Sequence, residues 1–216
     1  MEPVTGPDLA RTWALVPIRG LETAKTRLGG DLDAEERRDL VVDLLQRTLV
    51  ATRDARRVAG TILVTMDPAA AGIARDHRAV GLVERAPGLN GAITAARSVA
   101  VARGATAVLV LPADLPAISA PTVDALLDAA DRARAPGSIG LVALITDQHG
   151  RGTNALLISP PGRIDPVFGP ASRDRHRAAA AAAGATFVEL DGPLGLDVDT
   201  PDDLELAEAA LGAIGG

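Results

Sequence analysis

The sequence predicts a single α/β domain built on a mostly parallel central sheet. From Trp13 onward, short apolar segments alternate with helix-length amphipathic segments, which is typical of strands joined by right-handed helical crossovers. The apolar segments are continuous rather than alternating in polarity, as expected for a sheet that helices cover on both faces. A length of 216 residues fits one large domain with one core.

The apolar segments and the turn signals between them define the predicted strands and the domain bounds. Residues 1–11 contain prolines and a glycine without periodicity, so they are expected to form a flexible tail before one domain over 12–212. The predicted strands are 13–17, 61–65, 81–83, 107–111 and 139–145.

Three predicted helices have recognisable ends. Asp33 and Glu36 have the spacing of a capping box, and an apolar stripe at helical spacing follows them. The run 200–203 places a threonine cap, a proline and two carboxylates at the start of a last helix, predicted over about 201–211. The alanine-rich run 178–183 is predicted as a helix that the following glycine ends.

Composition and charge exclude several classes of function. A formal charge of −6, a pI of about 5.1 and 1% aromatic residues argue against a nucleic-acid partner, because phosphate backbones bind basic surfaces and unpaired bases stack on aromatic rings. The chain has no cysteine, which excludes disulfides, thiolate nucleophiles and zinc-thiolate sites. Neither a signal peptide nor a membrane-spanning apolar run is apparent, so we expect a cytoplasmic location without membrane partners.

Three carboxylates are candidates for a metal site. Asp114 follows the predicted strand 107–111, at the strand end where parallel sheets bind ligands, although alone it is equally typical of a turn residue that caps its own backbone. Asp197 and Asp199 lie at i and i+2, on one side of an extended segment. Like charges about 4 Å apart repel by ~4 kcal/mol at an effective dielectric near 20, so such a cluster needs a cation, and all-oxygen ligands favour magnesium. The alternative is that Asp199 belongs only to the helix start and Asp197 is solvated.

Positive charge suited to a triphosphate follows the first predicted strand. Arg19, Lys25 and Arg27 lie there among glycines, and Lys25 is the only lysine of the chain. A compact ammonium group suits phosphate oxygens, whereas a chance surface position is the alternative interpretation. The chain contains neither a P-loop nor a dinucleotide-binding glycine pattern.

Two further polar groups are candidates for substrate contacts. Asn90 follows Gly88 at the start of a predicted helix, where it is expected to cap that helix or, less favoured, to contact a base. The segments 152–154 and 168–172 supply hydroxyl and backbone N–H groups near the start of the alanine-rich helix. Helix N-termini bind anions, so these segments predict a pocket for the phosphate or carboxylate of a small acid, with an ordinary serine cap at Ser172 as the alternative.

Taken together, the motifs resemble the guanylyltransferases of coenzyme F(420) biosynthesis, which join GMP to phosphoenolpyruvate, 2-phospho-L-lactate or 3-phosphoglycerate. The resemblance covers 13–211 and rests on the order and spacing of short motifs. These motifs are 16–17 with 24–28, then 88–90, 111–116, 152–156, 168–170 and 195–204.

The resemblance implies a three-layer, GT-A-like nucleotidyltransferase fold with a mixed, mostly parallel sheet, a magnesium cofactor, and GTP and a small phosphorylated acid as substrates. The chain departs from the family pattern at Arg19, where lysine is expected, and at Arg173, where an aromatic residue often follows the serine. The implied site residues are Asp114, Asp197 and Asp199 for the metal; Thr153, Gly169 and Ser172 for the acid; and Arg19, Lys25, Arg27, Gly88 and Asn90 for the nucleotide, with Lys25, Arg27 and Asp114 as the catalytic set.

The expected reaction is attack of a phosphate oxygen of the acid on the α-phosphorus of GTP, with pyrophosphate leaving. A phosphomonoester has its second pKa at about 6, so the attacking oxygen is ionised at neutral pH and needs no general base. Phosphoenolpyruvate is the favoured acid, because the composition resembles that of actinobacterial members. The alternatives are a nucleotidyltransferase acting on molybdopterin or a sugar phosphate, which the segment 17–20 disfavours because it lacks an Ala-Gly-Gly start, and a non-catalytic nucleotide-binding domain.

Overall fold

The elements with defined bounds are seven strands and five α-helices. The computed structural model describes residues 6–22, 24–25, 32–85, 88–198, 200, 202–203 and 205–206. The strands are β1 (Thr12–Ile18), β2 (Val58–Thr65), β3 (Val80–Val83), β4 (Ala107–Val110), β5 (Leu141–Ile145), β6 (Ala155–Ser159) and β7 (Thr186–Glu189). The helices are α1 (Ala34–Asp54), α2 (Pro68–Asp76), α3 (Gly88–Ala102), α4 (Ala120–Arg132) and α5 (Ser172–Ala182), and a short 3-10 helix spans Pro193–Gly195.

The strands form one sheet in the order β3-β2-β1-β4-β6-β5-β7. Only β6 runs against its neighbours β4 and β5, and the other pairings are parallel. The predicted mixed, mostly parallel sheet is therefore confirmed, although β6 and β7 were not predicted. Because β6 is reversed, its amino end lies at the same sheet edge as the carboxyl ends of β1, β4 and β5.

Helices cover both faces of the sheet, which confirms the predicted three layers. Consecutive strand residues point to opposite cores: Val108 packs in the core that contains α3 and α5 residues, whereas Leu109 packs with α4 residues. In β1, Leu15 belongs to the α3 side and Val16 to the side that α1 and α2 cover. Burial on both faces explains why the strands are continuously apolar.

The predicted helix ends agree with the structure where it describes them. Asp33 accepts hydrogen bonds from the backbone of residues 35 and 36, and the Glu36 side chain accepts from the Asp33 N–H, which confirms the capping box of α1. At the start of the last helix, the Thr200 N–H donates to Asp203 Oδ2 at 2.8 Å and the Asp203 N–H donates back to Thr200 Oγ1 at 3.3 Å. Gly184 follows α5 with a φ of 62°, as expected for a glycine that ends a helix. The predicted helix end near 211 lies outside the described residues.

Residues 6–11 pack against the domain, so the prediction of a flexible tail does not describe them. Leu9 is buried in the core, and the Asp8 N–H donates to Ser159 Oγ at 2.9 Å. Arg134 donates to the Pro7 carbonyl. The prolines and glycine of this segment indicated irregular backbone correctly, but irregular backbone can still pack firmly. None of the helices in the described ranges has both the length and the apolarity to cross a membrane.

Candidate active site

A cleft runs along the sheet edge where β1, β2 and β4 end. It contains three adjoining pockets of about 330, 480 and 260 Å³, and Pro17 and Leu89 line all of them. The β2 pocket is lined by Arg19, Val64, Thr65, Met66, Glu84 and Gly88, among others. The lysine pocket is lined by Arg19, Lys25, Val41 and Asp114, among others. The acidic pocket is lined by Asp114, Thr153, Asn154, Phe168 and Asp197, among others.

Shared side chains connect the pockets into one cleft. Arg19 lines both the β2 pocket and the lysine pocket. Asp114 lines both the lysine pocket and the acidic pocket. An elongated ligand can therefore extend from β2 past Lys25 to Asp114 without leaving the cleft.

Asp114 and Lys25 form an ion pair at the centre of the cleft. Lys25 Nζ lies 2.7 Å from Asp114 Oδ2, and the lysine side chain is only 7% exposed. Lys25 also has a φ of 56°, a left-handed conformation that non-glycine residues rarely adopt and that is found preferentially at functional sites. The second carboxylate oxygen, Asp114 Oδ1, is buried and accepts no hydrogen bond from any described residue. A buried acceptor oxygen of this kind is suited to binding a cation.

The segment before the last helix brings Asp197 to the same pocket. The Val198 N–H donates to the Asp114 carbonyl at 3.1 Å, which fastens this segment to the Asp114 turn. Val198 is buried, and Asp197 Oδ1 accepts a hydrogen bond from Asn154 Nδ2 at 3.1 Å. Asp197 thus lies at the acidic pocket while its neighbour Val198 is buried, which agrees with the extended segment predicted for Asp197.

The predicted metal set is only partly described. Asp114 and Asp197 line one pocket, whereas Asp199 lies outside the described residues, as does Arg27 of the nucleotide set. Among the residues that the structure describes, no group of three acidic or histidine side chains is arranged to hold a metal ion. The two described carboxylates offer hard oxygen ligands, including Asp114 Oδ1, which accepts no hydrogen bond within the described ranges, and these fit magnesium.

The acid-binding residues predicted at the acidic pocket lie together. Thr153 lies two residues before β6, whose reversed direction places it at the ligand-binding edge, and Ser172 begins α5. Ser172 Oγ donates to Thr153 Oγ1 at 3.0 Å. The cap position of α5 is Ala171, with a φ of 53° and no side-chain cap, so the alternative of an ordinary serine cap is wrong. Gly169 has a φ of 122°, which favours glycine.

His176 was not singled out by sequence analysis, yet it is buried behind Thr153 and contacts that threonine. It is 0% exposed, and its Nδ1 lies 3.2 Å from Thr153 Oγ1. Its Nε2 accepts the Val167 N–H at 3.1 Å, and its ring packs edge-on against Phe168 with centroids 5.1 Å apart. Burial lowers the pKa of His176 to about 4, and the positive charge of Arg175 adds to that shift. The one available signal was its spacing of i+4 from Ser172, which places both residues on one face of α5.

The favoured prediction for Asn90, that its side chain caps the helix, is wrong. Asn90 is the third residue of α3, and its side chain does not cap the helix. Its Nδ2 donates to the Phe168 carbonyl at 3.1 Å, and its Oδ1 accepts the Phe168 N–H at 2.8 Å. The amide nitrogen and the amide oxygen of Asn90 thus both hold the segment that carries Gly169. Gly88, at the start of the same helix, has a φ of 75° and lines the β2 pocket.

Arg173, one of the two departures from the family pattern, has a structural partner. Its Nε and Nη2 bind the Glu189 carboxylate of β7 at 3.0 Å. This arginine therefore ties α5 to the edge of the sheet. Arg19, the other departure, is exposed at the rim of the cleft.

Known proteins resemble this chain in sequence and in fold. The family described as "Guanylyl transferase CofC like" matches residues 12–209. The phosphoenolpyruvate guanylyltransferase of Sphaerobacter thermophilus is 41% identical over 195 residues, covering 90% of this chain and 91% of that protein. That of Rubrobacter xylanophilus is 40% identical over 204 residues, covering 93% and 95%.

Two solved structures with low sequence identity share the fold. A putative nucleotide-diphospho-sugar transferase from Desulfovibrio desulfuricans G20 has a TM-score of 0.71 at 16% identity, covering 90% of this chain and 85% of the other. The 4-diphosphocytidyl-2C-methyl-D-erythritol synthase of Anaerococcus prevotii has a TM-score of 0.62 at 9% identity, covering 94% and 97%. The family match, the identities and the cleft agree, so this chain belongs to the CofC-like guanylyl transferase family and is a nucleotidyltransferase.

Proposed function

We propose that the protein transfers GMP from GTP to phosphoenolpyruvate, releasing pyrophosphate, in coenzyme F(420) biosynthesis. The observation that carries this proposal is the continuous cleft in which Asp114 belongs to both the lysine pocket and the acidic pocket. One carboxylate thus borders the place for a triphosphate and the place for an acid. The choice of phosphoenolpyruvate as the acid is supported by the relatives above, which are named phosphoenolpyruvate guanylyltransferases.

The β2 pocket is the proposed place for the guanine base. Its walls include the apolar side chains of Val64, Met66 and Leu89, which suit a flat ring. The Glu84 carboxylate lines the same pocket, and its Oε1 accepts the Arg85 N–H at 2.7 Å. Guanine presents two adjacent donors, N1–H and the 2-amino group, and a carboxylate accepts both. This chemistry supports a preference for guanine over adenine, which lacks that pair of donors.

The lysine pocket is the proposed place for the phosphates. Arg19 and Lys25 line it between the β2 pocket and Asp114. In the proposed complex Lys25 binds phosphate oxygens and stabilises the charge on the departing pyrophosphate. Because the Lys25 side chain is only 7% exposed, its charge is weakly screened and acts strongly on a bound anion.

Magnesium is the proposed cofactor. Asp114 and Asp197 would hold it, with Asp199 as the third predicted ligand. When bound, the ion would neutralise negative charge on the phosphates of both substrates. The chemistry of these ligands supports this assignment, since they offer oxygen only.

The chain's own residues orient the two substrates for an in-line reaction. A phosphate oxygen of phosphoenolpyruvate forms a bond to the α-phosphorus, the bond from that phosphorus to the bridging oxygen of the β-phosphate breaks, and pyrophosphate leaves with the electron pair. The attacking oxygen is already ionised at neutral pH, because the second pKa of a phosphomonoester is about 6. Thr153, supported by Ser172 behind it, holds the acid, and Lys25 faces the leaving group. Rate enhancement then comes from positioning and charge neutralisation.

Product analysis tests the proposal. The full chain is incubated with GTP, magnesium and, in separate reactions, phosphoenolpyruvate, 2-phospho-L-lactate or 3-phosphoglycerate, and pyrophosphate and product mass are measured. We expect pyrophosphate in equal amount to a guanylylated acid, with the fastest turnover for phosphoenolpyruvate. Faster turnover with another acid would replace the proposed substrate. Binding of GTP without pyrophosphate from any acid would instead favour a non-catalytic nucleotide-binding domain.

A further inference from the structure

A backbone N–H group determines which nitrogen of the His176 ring carries the proton. Its Nε2 lies 3.1 Å from the Val167 nitrogen, whose N–H can only donate. Nε2 must therefore present a lone pair and carries no proton. At neutral pH the ring is uncharged, because burial lowers the pKa of His176 to about 4. The single remaining proton is therefore on Nδ1.

This proton fixes the direction of the hydrogen bond to Thr153. Nδ1 lies 3.2 Å from Thr153 Oγ1, so Nδ1–H donates and the threonine oxygen accepts. Ser172 Oγ donates to the same oxygen at 3.0 Å. A hydroxyl oxygen has two lone pairs, and both are occupied by these two donors. The Thr153 hydroxyl proton must then donate to a third group.

The third group lies on the open side of Thr153. The threonine lines the acidic pocket together with Asp114 and Phe168, whereas His176 and Ser172 are buried behind it. A bound phosphate or carboxylate oxygen in that pocket is an acceptor for the remaining proton. With the proton on Nε2 instead, Nδ1 would present a lone pair to Thr153, and the threonine proton would donate to the ring rather than into the pocket.

The same ring also holds the backbone on the other side of the pocket. Its Nε2 binds the Val167 N–H, and its edge packs against Phe168, directly before Gly169. Asn90 fixes the Phe168 backbone from the opposite side. His176 thus links the two segments that supply the predicted acid contacts.

We propose that His176 is a positioning residue for the phosphorylated acid: by donating from Nδ1 to Thr153, it leaves the Thr153 hydroxyl as a donor directed into the acidic pocket. The proposal rests on the proposed function for the identity of the acid. It assigns to a buried histidine a role in orienting substrate without contact to the reacting atoms.

The tautomer of His176 is tested directly by nitrogen NMR of the unmodified full chain. The protein is labelled with ¹⁵N-histidine, and the His176 signals are assigned by their loss in His176→Asn. We expect a protonated Nδ1 and an unprotonated Nε2 between pH 8 and 6. A proton on Nε2, or a doubly protonated ring at pH 7, would overturn the proposal whether or not the chain is active.

A pair of variants tests the consequence for the substrate. His176→Asn keeps an N–H donor close to the position of Nδ1, whereas His176→Leu keeps volume and removes the donor; both lose the acceptor for Val167. We expect His176→Leu to raise KM for phosphoenolpyruvate about 10-fold, equivalent to ~1.4 kcal/mol, with KM for GTP nearly unchanged. His176→Asn should restore most of the affinity. His149→Asn, at an exposed histidine, is the matched control.

The outcomes separate the two proposals. Equal losses in the Asn and Leu variants, or an equal rise of KM for GTP, would show a merely structural role and overturn the inference. An unmodified chain that turns over no acid would contradict the proposed function, while the NMR result would still decide the tautomer. Thermal unfolding followed by circular dichroism shows whether each variant is folded, and if neither is, the NMR result decides.

Discussion

The two ends of the cleft hold their polar groups in different ways. In the acidic pocket, Thr153 is 7% exposed and the Ser172 and His176 behind it are 2% and 0% exposed, and each is hydrogen-bonded to another member of the group. In the β2 pocket, Met66 is 59% exposed. The acid end is thus organised before its ligand binds, whereas the base end is an open apolar surface with few polar groups. Substitutions at the acid end should therefore have the larger and more selective effects.

Asp114 lies between the two ends and lines both the acidic pocket and the lysine pocket, so its substitution should have the largest effect. Asp114→Asn keeps the size of the side chain but removes the charge that a cation and Lys25 require. We expect kcat to fall about 1000-fold, because charge stabilisation of phosphoryl oxygens contributes several kcal/mol. Pyrophosphate release measures the loss. Asp43→Asn, at an exposed partner of Arg47 on α1, is the control and should retain activity; a folded, fully active Asp114→Asn variant would contradict the proposed site.

Thr153 tests the organised end alone. Thr153→Val has the same shape but leaves the Ser172 and His176 donors without their acceptor. We expect KM for phosphoenolpyruvate to rise about 30-fold, or ~2 kcal/mol, as for the loss of a hydrogen bond to a charged group, with little change in KM for GTP. Thr153→Ser, which keeps the hydroxyl, should stay close to the unmodified chain. If KM for GTP rose as much as KM for the acid, the two ends would not be separate.

Glu84 tests the open end, where we expect the smallest effect. Glu84→Gln replaces one acceptor oxygen by a donor that faces the donors of guanine. We expect the preference for GTP over ITP, which lacks the 2-amino group, to fall about fivefold, or ~1 kcal/mol, with KM for the acid unchanged. Competition between GTP and ITP measures this ratio. Arg85→Gln, at the exposed neighbour, should leave the preference intact; an unaltered preference in Glu84→Gln would place the base elsewhere.

Local patterns predicted most of the fold. Helix caps such as the Asp33 box and the apolar runs of β1 to β5 depend on residues close in sequence, and the structure agrees with them. β6 and β7 were not predicted, and the reversed direction of β6 follows from long-range pairing with β4 and β5 rather than from its own residues. That reversal is what places Thr153 at the cleft.

The structure brings predicted site residues together where a motif carries them to one strand end, whereas the prediction for Asn90, whose partner is distant in sequence, was wrong. Asp114 and Asp197 meet, as their strand-end and extended contexts indicated. Asn90 precedes most of α3 and so was interpreted as a cap, but its partner Phe168 lies 78 positions away. The spacing of His176 from Ser172 does not by itself indicate a role, so the role of this histidine became visible only through its contacts with Val167 and Thr153.

The convergence of the carboxylates on a divalent ion beside the acid is tested most directly by crystallography. Crystals of the full chain grown with manganese, as a substitute for magnesium, and phosphoenolpyruvate would locate the ion by its anomalous scattering. We expect one anomalous peak within bonding distance of Asp114 Oδ1 and Asp197, with the phosphate or carboxylate of the acid against the Thr153 hydroxyl. A peak bound elsewhere, or an acid bound away from Thr153, would contradict the account.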